Sequence, residues 1–361
     1  MNFTEIKEII SAACKKFDVL EYEIYFTKGE DISAETLKDE VSAFSSGESA
    51  KVYFRCLVDG HMGYASSSYF NEDELADLVV RAKENAGAIE NDDVVFIFKG
   101  SESYAKTTAP EPVVVDAGEL KNKALEIQKA TYAADTSVVD GTQSVAMSFR
   151  NEIYLYNSHG LELSNKVGMS GCYVSAVVNK DGESRDNFEF AENINSEDAK
   201  NLPAKAVQGA LEMIGATEIP SGKYDIVIDG TQMRSLLSAF SSAFSAKNAL
   251  LGMSRLAGKE GEKIAADIVT ITDDPMREGC PVQTPFDDEG VATYKKTVVE
   301  NGVLGTLHMN SSMTLLPLIR PARPLQVTVA AAETSLHITL VSAQAPKVRK
   351  SFLQRSVTVS T

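Results

Sequence analysis

Three carboxylates in a row, Asp287, Asp288 and Glu289, followed by Gly290, are the densest group of reactive side chains in this sequence. Such a run can bind a cation, meet a peptide amine, or cap the element that follows. No histidine stands near it in sequence, which favours a turn, a substrate cleft or an interface over a metal centre. The other candidates are weaker. Ser238, Ser241, Ser242 and Ser245 form a serine-rich helical set, but no G-x-S-x-G is present and no activating base is recognisable, so they read as small residues on a closely packed helix. Residues 252–259 approach a phosphate-binding loop. The spacing is one residue too long, and Glu260 stands where a hydroxyl is required. His61 and His159 each lie beside turn glycines and read as turn residues. Cys14, Cys56, Cys172 and Cys280 are far apart, without a C-x-x-C, which fits reduced, partly buried thiols.

The elements that must position these groups can be read from periodicity. The apolar run 224–228 predicts a buried strand. Thr231 would cap a following helix whose apolar stripe is Leu236, Leu237, Phe240, Ala243 and Phe244. A second strand is expected over 267–272. After the acidic turn, Asn301 and Gly302 give a strong hairpin signal. Upstream, Ile6, Ile9, Ile10 and Ala13 predict a first helix, and Tyr22, Ile24 and Phe26 a strand. A second strand over 49–58 turns at Asp59 and Gly60. Asn71 with Glu74 marks a capped helix carrying Leu75, Leu78, Val79, Ala82 and Ala86. Residues 107–112 read as a linker or an extended crossing segment. Asp116 caps the next helix, alternation through residues 142–178 with a tight turn at 180–182 predicts an antiparallel meander, and a helix over 196–214 follows, with Pro203 near its start.

The leucine pair Leu236 and Leu237, the turn around Asp59, Gly60, His61, Met62 and Gly63, and the acidic segment 284–291 resemble the TldD/PmbA family. The resemblance implies a zinc-dependent peptidase system. Its catalytic branch carries H-E-x-x-x-H on the helix just after the leucine pair, where two imidazoles hold zinc and the glutamate activates its water. Here Ser238 and Ala243 stand at the histidine positions and Ala239 at the glutamate position. The chain therefore resembles the PmbA (TldE) branch, which lacks the metal motif. The resemblance then implies no catalytic or metal residue in this chain, zinc in a catalytic TldD-like paralogue, a peptide substrate, and a hetero- or homodimer. An alternative from another class is a non-enzymatic regulator or adaptor that binds another protein, in line with the family's association with gyrase modulation. A third is an active peptidase with an unrecognised metal site.

With 361 residues the chain can build two or three domains. The expected class is α+β: an N-terminal α/β domain (1–106), a middle helix plus antiparallel sheet (107–220), and a β-rich C-terminal domain (221–308). Residues 309–361 read as an atypical tail, a candidate frameshift product, because glycine disappears and Glu333 is its single acid. A net charge of −16 argues against direct nucleic-acid or anionic-membrane contact. No signal peptide or run of about 18 apolar residues is read, so a cytoplasmic location is expected.

Overall fold

The computed structural model describes residues 1–90, 95–224, 226, 228, 230–307 and 336–337. Its centre is a six-stranded antiparallel sheet in the order β3-β2-β1-β4-β5-β6. The strands are β1 (Glu21–Leu37), β2 (Glu40–Val58), β3 (His61–Ser67), β4 (Gln143–Asn157), β5 (Glu162–Lys180) and β6 (Glu183–Ala191). The first two are far longer than their apolar alternation suggested. The hairpin they form runs on through a serine- and glycine-rich half to a tip at Lys38, with Leu37 paired to Glu40.

Side chains alternate across a strand, so one parity of β1 faces one layer. Tyr22, Ile24, Phe26, Ile32 and Ala34 all face the helices and are buried. Near the start of β1 they meet helices α1 (Phe3–Lys16) and α2 (Glu72–Gly87) through Ile6, Ile10, Leu75, Leu78 and Val79. Further along they meet α3 (Ala117–Ala134) and α4 (Glu197–Glu212), with Leu120, Ala124, Leu202 and Ala206 packed on Ala146, Cys172, Val174 and Ala176. One face of one sheet thus carries two cores. Burying a side chain such as Leu78 or Phe54 contributes about 1.5–3 kcal/mol. Close approach of α2 to β3 depends on Gly63, where a Cβ would overlap the Ala82 carbonyl oxygen.

The helix starts follow their caps. Asn2 accepts the Glu5 N–H while Glu5 returns a bond to the Asn2 N–H, and Asn71, Asp116 and Ser196 accept first-turn amides in the same way. Pro203 is the seventh residue of α4, deeper than expected, and it is buried against the core.

The remaining region is smaller. Helix α5 (Gly230–Phe240), a 3-10 turn (Ser241–Phe244) and α6 (Ala246–Leu250) pack beside a second sheet in the order β10-β7-β8-β9. Its strands are β7 (Ile271–Asp273), β8 (Lys296–Glu300), β9 (Val303–Leu304) and β10 (Leu336–His337). Ala246, Ile271, Val298, Val299, Leu304 and Leu307 form its core. Asn301 and Gly302 turn the β8–β9 hairpin with positive φ at both positions.

The α+β class with a dominant antiparallel sheet is as expected. Several local expectations are corrected. Tyr224, Ile226 and Ile228 lie in no strand and are exposed, while residues 225, 227 and 229 fall outside the described residues. Thr231 is not the cap, because the helix already begins at Gly230. The helix does not run through Phe244: it tightens to 3-10 geometry after Phe240, and Ser245 caps a new helix by accepting the Asn248 N–H. Serine at 245 competes with helix continuation by bonding forward to backbone. The strand expected over 267–272 is shorter and begins at Ile271. The tail expectation lies outside the described residues, apart from Leu336 and His337.

Candidate functional site

The acidic turn lies between β7 and β8 and folds on itself. Asp287 Oδ1 accepts the N–H groups of Glu289 and Val291, both at 2.9 Å, and the Asp287 carbonyl accepts the Gly290 N–H. Gly290 closes the turn at φ 81°, in the left-handed region, and a Cβ there would meet Leu161 Cδ2 at 2.8 Å. The left-handed backbone of the turn therefore favours glycine.

The turn is seated on the sheet face opposite the helices. Tyr25 donates its hydroxyl to Asp288 Oδ1 at 3.0 Å. Arg55 lies between two carboxylates, with Nη2 3.0 Å from Glu23 Oε2 and Nη1 3.8 Å from Glu289 Oε1. Glu23 and Arg55 are partners across the β1–β2 register. The Arg55 and Glu23 side chains are 3 % and 0 % exposed. Burial disfavours the guanidinium charge, and the two facing carboxylates outweigh it, so the Arg55 pKa stands above its ordinary value.

A second set of bonds ties residues 98–109 to the same region. Tyr104 donates to the Gly290 carbonyl at 2.6 Å, and Ser101 Oγ accepts the Ala292 N–H. Gln283, 1 % exposed, is the hub. Its Oε1 accepts the N–H groups of Thr108 and Ala109, its Nε2 donates to Thr108 Oγ1 and the Arg277 carbonyl, and its own carbonyl accepts Asn165 Nδ2. The stretch read as a linker or an extended crossing segment is thus an extended strap, held by Gln283 together with Tyr104 and Ser101.

This geometry can hold charge and respond to acid. Burial, followed by the neighbouring carboxylates, pushes the Asp287 pKa up to about 6 against two backbone N–H bonds that lower it. The carboxylates singled out in the sequence therefore sit together with Glu23, Arg55 and Tyr25, which the sequence reading missed. A signal was present: Arg55 interrupts an apolar strand, and a glutamate interrupts the strand it pairs with.

The other candidate positions lie apart from the acidic turn. Ser238 and Ala239 are on α5, and Ala243 is in the 3-10 turn. Their environment is built from backbone: the Ser238 carbonyl accepts Ser241 Oγ, and the Ala243 carbonyl accepts Ser254 Oγ. Zinc is held by thiolate, imidazole or carboxylate. A hydroxyl and two methyl groups do not fit that ion. Among the described residues no three His, Cys, Asp or Glu side chains converge as a metal site. The four thiols are buried and unpaired. No described helix is long and apolar enough to cross a membrane.

Comparison with known proteins gives matches along most of the chain. Sequence models of the PmbA/TldA metallopeptidase match as domain 1 over residues 22–86, as the central domain over 110–214, and as the C-terminal domain over 221–314. A metalloprotease of Methanocaldococcus jannaschii is 25 % identical over 317 residues, covering 85 % of this chain and 68 % of the relative. A metalloprotease of Methanothermobacter thermautotrophicus is 29 % identical over 299 residues, covering 78 % and 63 %. The chain thus spans about two thirds of the length of these relatives. In fold it is similar to the crystal structure of TldE from Thermococcus kodakarensis, with a TM-score of 0.77 at 22 % identity over 92 % of this chain and 76 % of that one.

Proposed function

The chain belongs to the PmbA/TldD metallopeptidase family, and on that premise we propose that it is the metal-free, PmbA/TldE-type subunit of a two-chain cytoplasmic zinc peptidase. The observation that carries this reading is the helical segment after Leu237. Ser238, Ala239 and Ala243 stand where the resemblance puts two zinc ligands and a general base, and none of them binds zinc or takes a proton from water. Zinc and the glutamate come from a TldD-like paralogue carrying H-E-x-x-x-H. This chain contributes the facing wall of a peptide cleft. The buried Arg55 clamp supports that role by fixing the region of the acidic turn to the six-stranded sheet. A wall that must face a second chain needs that rigidity, because a small misplacement of a positioning element costs catalysis heavily.

Co-expression with the paralogue tests the proposal, read as complex formation, zinc content and peptide cleavage. The expected result is cleavage that requires both chains, with zinc retained by the paralogue alone. Stoichiometric zinc and cleavage from this chain by itself would overturn it, and a stable complex with a non-peptidase protein alone would favour a regulatory role.

A further inference from the structure

The six-stranded sheet has a second face, and half of it is uncovered. On β4 and β5 the residues that face α3 and α4, Ala146, Cys172, Val174 and Ala176, are all 0 % exposed. Their neighbours on the same strands face the opposite way. The register sets Phe149 beside Met169, and Tyr173 beside Phe190. Met147 lies between these two rows, and Phe188 follows the second. The Phe190 ring lies against Gly171, and the Tyr173 and Phe188 rings are 5.2 Å apart. None of the six side chains is buried, and Phe188 is 56 % exposed. The acidic turn and the strap meet this face further along, at Tyr25, Leu155 and Asn165. Among the described residues no helix or strand lies over the six.

Two features of this face select its occupant. The first is charge. Asp31 lies beside Phe149, Glu35 beside Val145, and Asp186 beside Val177. These three are the charged residues that β1, β4, β5 and β6 present on this half of the face, and all are acidic. Among the described residues none of them has an ion-pair partner. On the helix side of the same strands the acid is matched, since Arg150 holds Glu30 at 2.7 Å. The second feature is the kind of apolar side chain. Two methionines and four aromatic rings offer large, adaptable contact area rather than a fixed mould. A contiguous apolar patch with a polar rim marks an interaction site. The face is open rather than concave, so it does not enclose a small ligand. Its acids call for a cation, and its apolar side chains for a partner without a fixed shape.

We propose that this face binds unfolded peptide segments that carry both apolar and basic side chains. The apolar ones cover Met147, Phe149, Met169, Tyr173 and Phe188, and the lysine or arginine ones meet Asp31, Glu35 and Asp186. This inference rests on the reading of the chain as one wall of a peptide cleft, and it names the class of peptide that the wall takes. The dimensions suit an extended segment. From β1 to β6 the face spans three strand spacings, about 14 Å, and Asp31 and Glu35 are about 13 Å apart along β1. Either distance is about four residues of extended chain. A basic side chain lays its methylenes on the apolar patch and carries its charge to the acids at the rim. Ion pairs at an exposed rim are weak, so the apolar contacts supply most of the affinity and the acids choose among peptides.

The test is fluorescence anisotropy of a short labelled peptide of leucine, phenylalanine and lysine spaced by glycine and serine, titrated with the full chain alone. The readout is binding without the paralogue, which separates failure of this inference from failure of the two-chain reading. Wild type is expected to bind this peptide about tenfold or more tighter than one with glutamate in place of lysine, or serine in place of the apolar residues. Phe188→Ser should weaken binding about fivefold or more. Asp31→Asn with Glu35→Gln should weaken it about threefold or more at low salt and remove most of its salt dependence. Glu197→Gln with Asp198→Asn makes the same charge change on α4, on the other side of the sheet, and should leave binding unchanged. Circular dichroism checks that each variant keeps the fold. A wild type that does not bind, equal binding of the lysine and glutamate peptides, or equal responses to the two charge-removing pairs would overturn the proposal. Loss of peptide binding in the purified complex with the paralogue would overturn it as well, because the face would then belong to the partner chain.

Discussion

Two regions of the molecule carry the same kind of sequence and end differently. In α1 to α4 the apolar stripe of each helix is covered, and Ile6, Leu78, Leu120 and Ala206 are all 0 % exposed. In the stretch from α5 to residue 253 large apolar side chains also recur, on shorter helical pieces. Yet Leu236 is 44 %, Phe240 61 % and Met253 67 % exposed. What differs is the opposing surface: a six-stranded sheet for the first, a few short strands for the second. A periodic stripe specifies which face wants cover and says nothing about whether this chain supplies it.

The largest expected effect tests how firmly the two regions are joined. Arg55→Met leaves Glu23 buried without its counter-charge and Glu289 without its anchor. We expect a loss of about 3–5 kcal/mol in chemical denaturation, much of it recovered when Glu23→Gln is added. If the single variant costs less than about 1 kcal/mol, the clamp is not what holds the acidic turn to the sheet. Next comes the direct contrast between covered and uncovered stripes. Leu78→Ala should cost about 2–5 kcal/mol, and Phe240→Ala should fall within about 0.5 kcal/mol. Equal losses would mean that Phe240 is packed in the folded protein.

A smaller effect is expected at the strap. Gln283→Leu leaves the Thr108 and Ala109 amides without their acceptor, which costs about 1–3 kcal/mol and should speed proteolysis within residues 98–112. Unchanged protease resistance would show that the strap holds without its glutamine. A further effect concerns acid. The Asp287 pKa is raised on folding from 3.8 to about 6, so the folded state holds the extra proton between those values. Its contribution is therefore favourable at low pH and is lost as pH rises through about 6. Asp287→Asn keeps an oxygen for both backbone bonds and removes the titration. Against wild type, its stability should gain as pH rises from 4 to 7. A difference that stays constant over that range would show that Asp287 ionises normally.

Much of the covered region was legible. The caps at Asn71 and Asp116, the turn at Asp59, and the inward face of α2 follow from local rules acting on a few residues. The second half of the β1–β2 hairpin was not. Residues 40–48 are mostly serine, alanine and glutamate with weak strand signals, and they are extended because β1 supplies the ladder. The site was half legible. Asp287, Asp288, Glu289 and Gly290 stood out as neighbours in sequence. Glu23, Arg55 and Gln283 did not, since each gains its meaning from a partner 32 to 234 positions away or from a strap that looked unattached. Of the strand expected over 224–228, the described residues Tyr224, Ile226 and Ile228 lie in no strand.

The buried thiols turn each part of the molecule into its own clock. Cys14 and Cys56 lie in the core under α1 and α2, Cys172 in the core under α3 and α4, and Cys280 beside the acidic turn, where its Sγ donates to the Val282 carbonyl. Burial raises the Cys14 pKa and pushes those of Cys56 and Cys172 up to about 11, so at neutral pH these thiols are protonated as well as shielded. An alkylating reagent then reacts only when the surrounding segment opens. Peptide-resolved labelling of the unmodified protein would give three opening rates from one sample, and with them the order in which the two helix-covered cores and the clamped turn come apart.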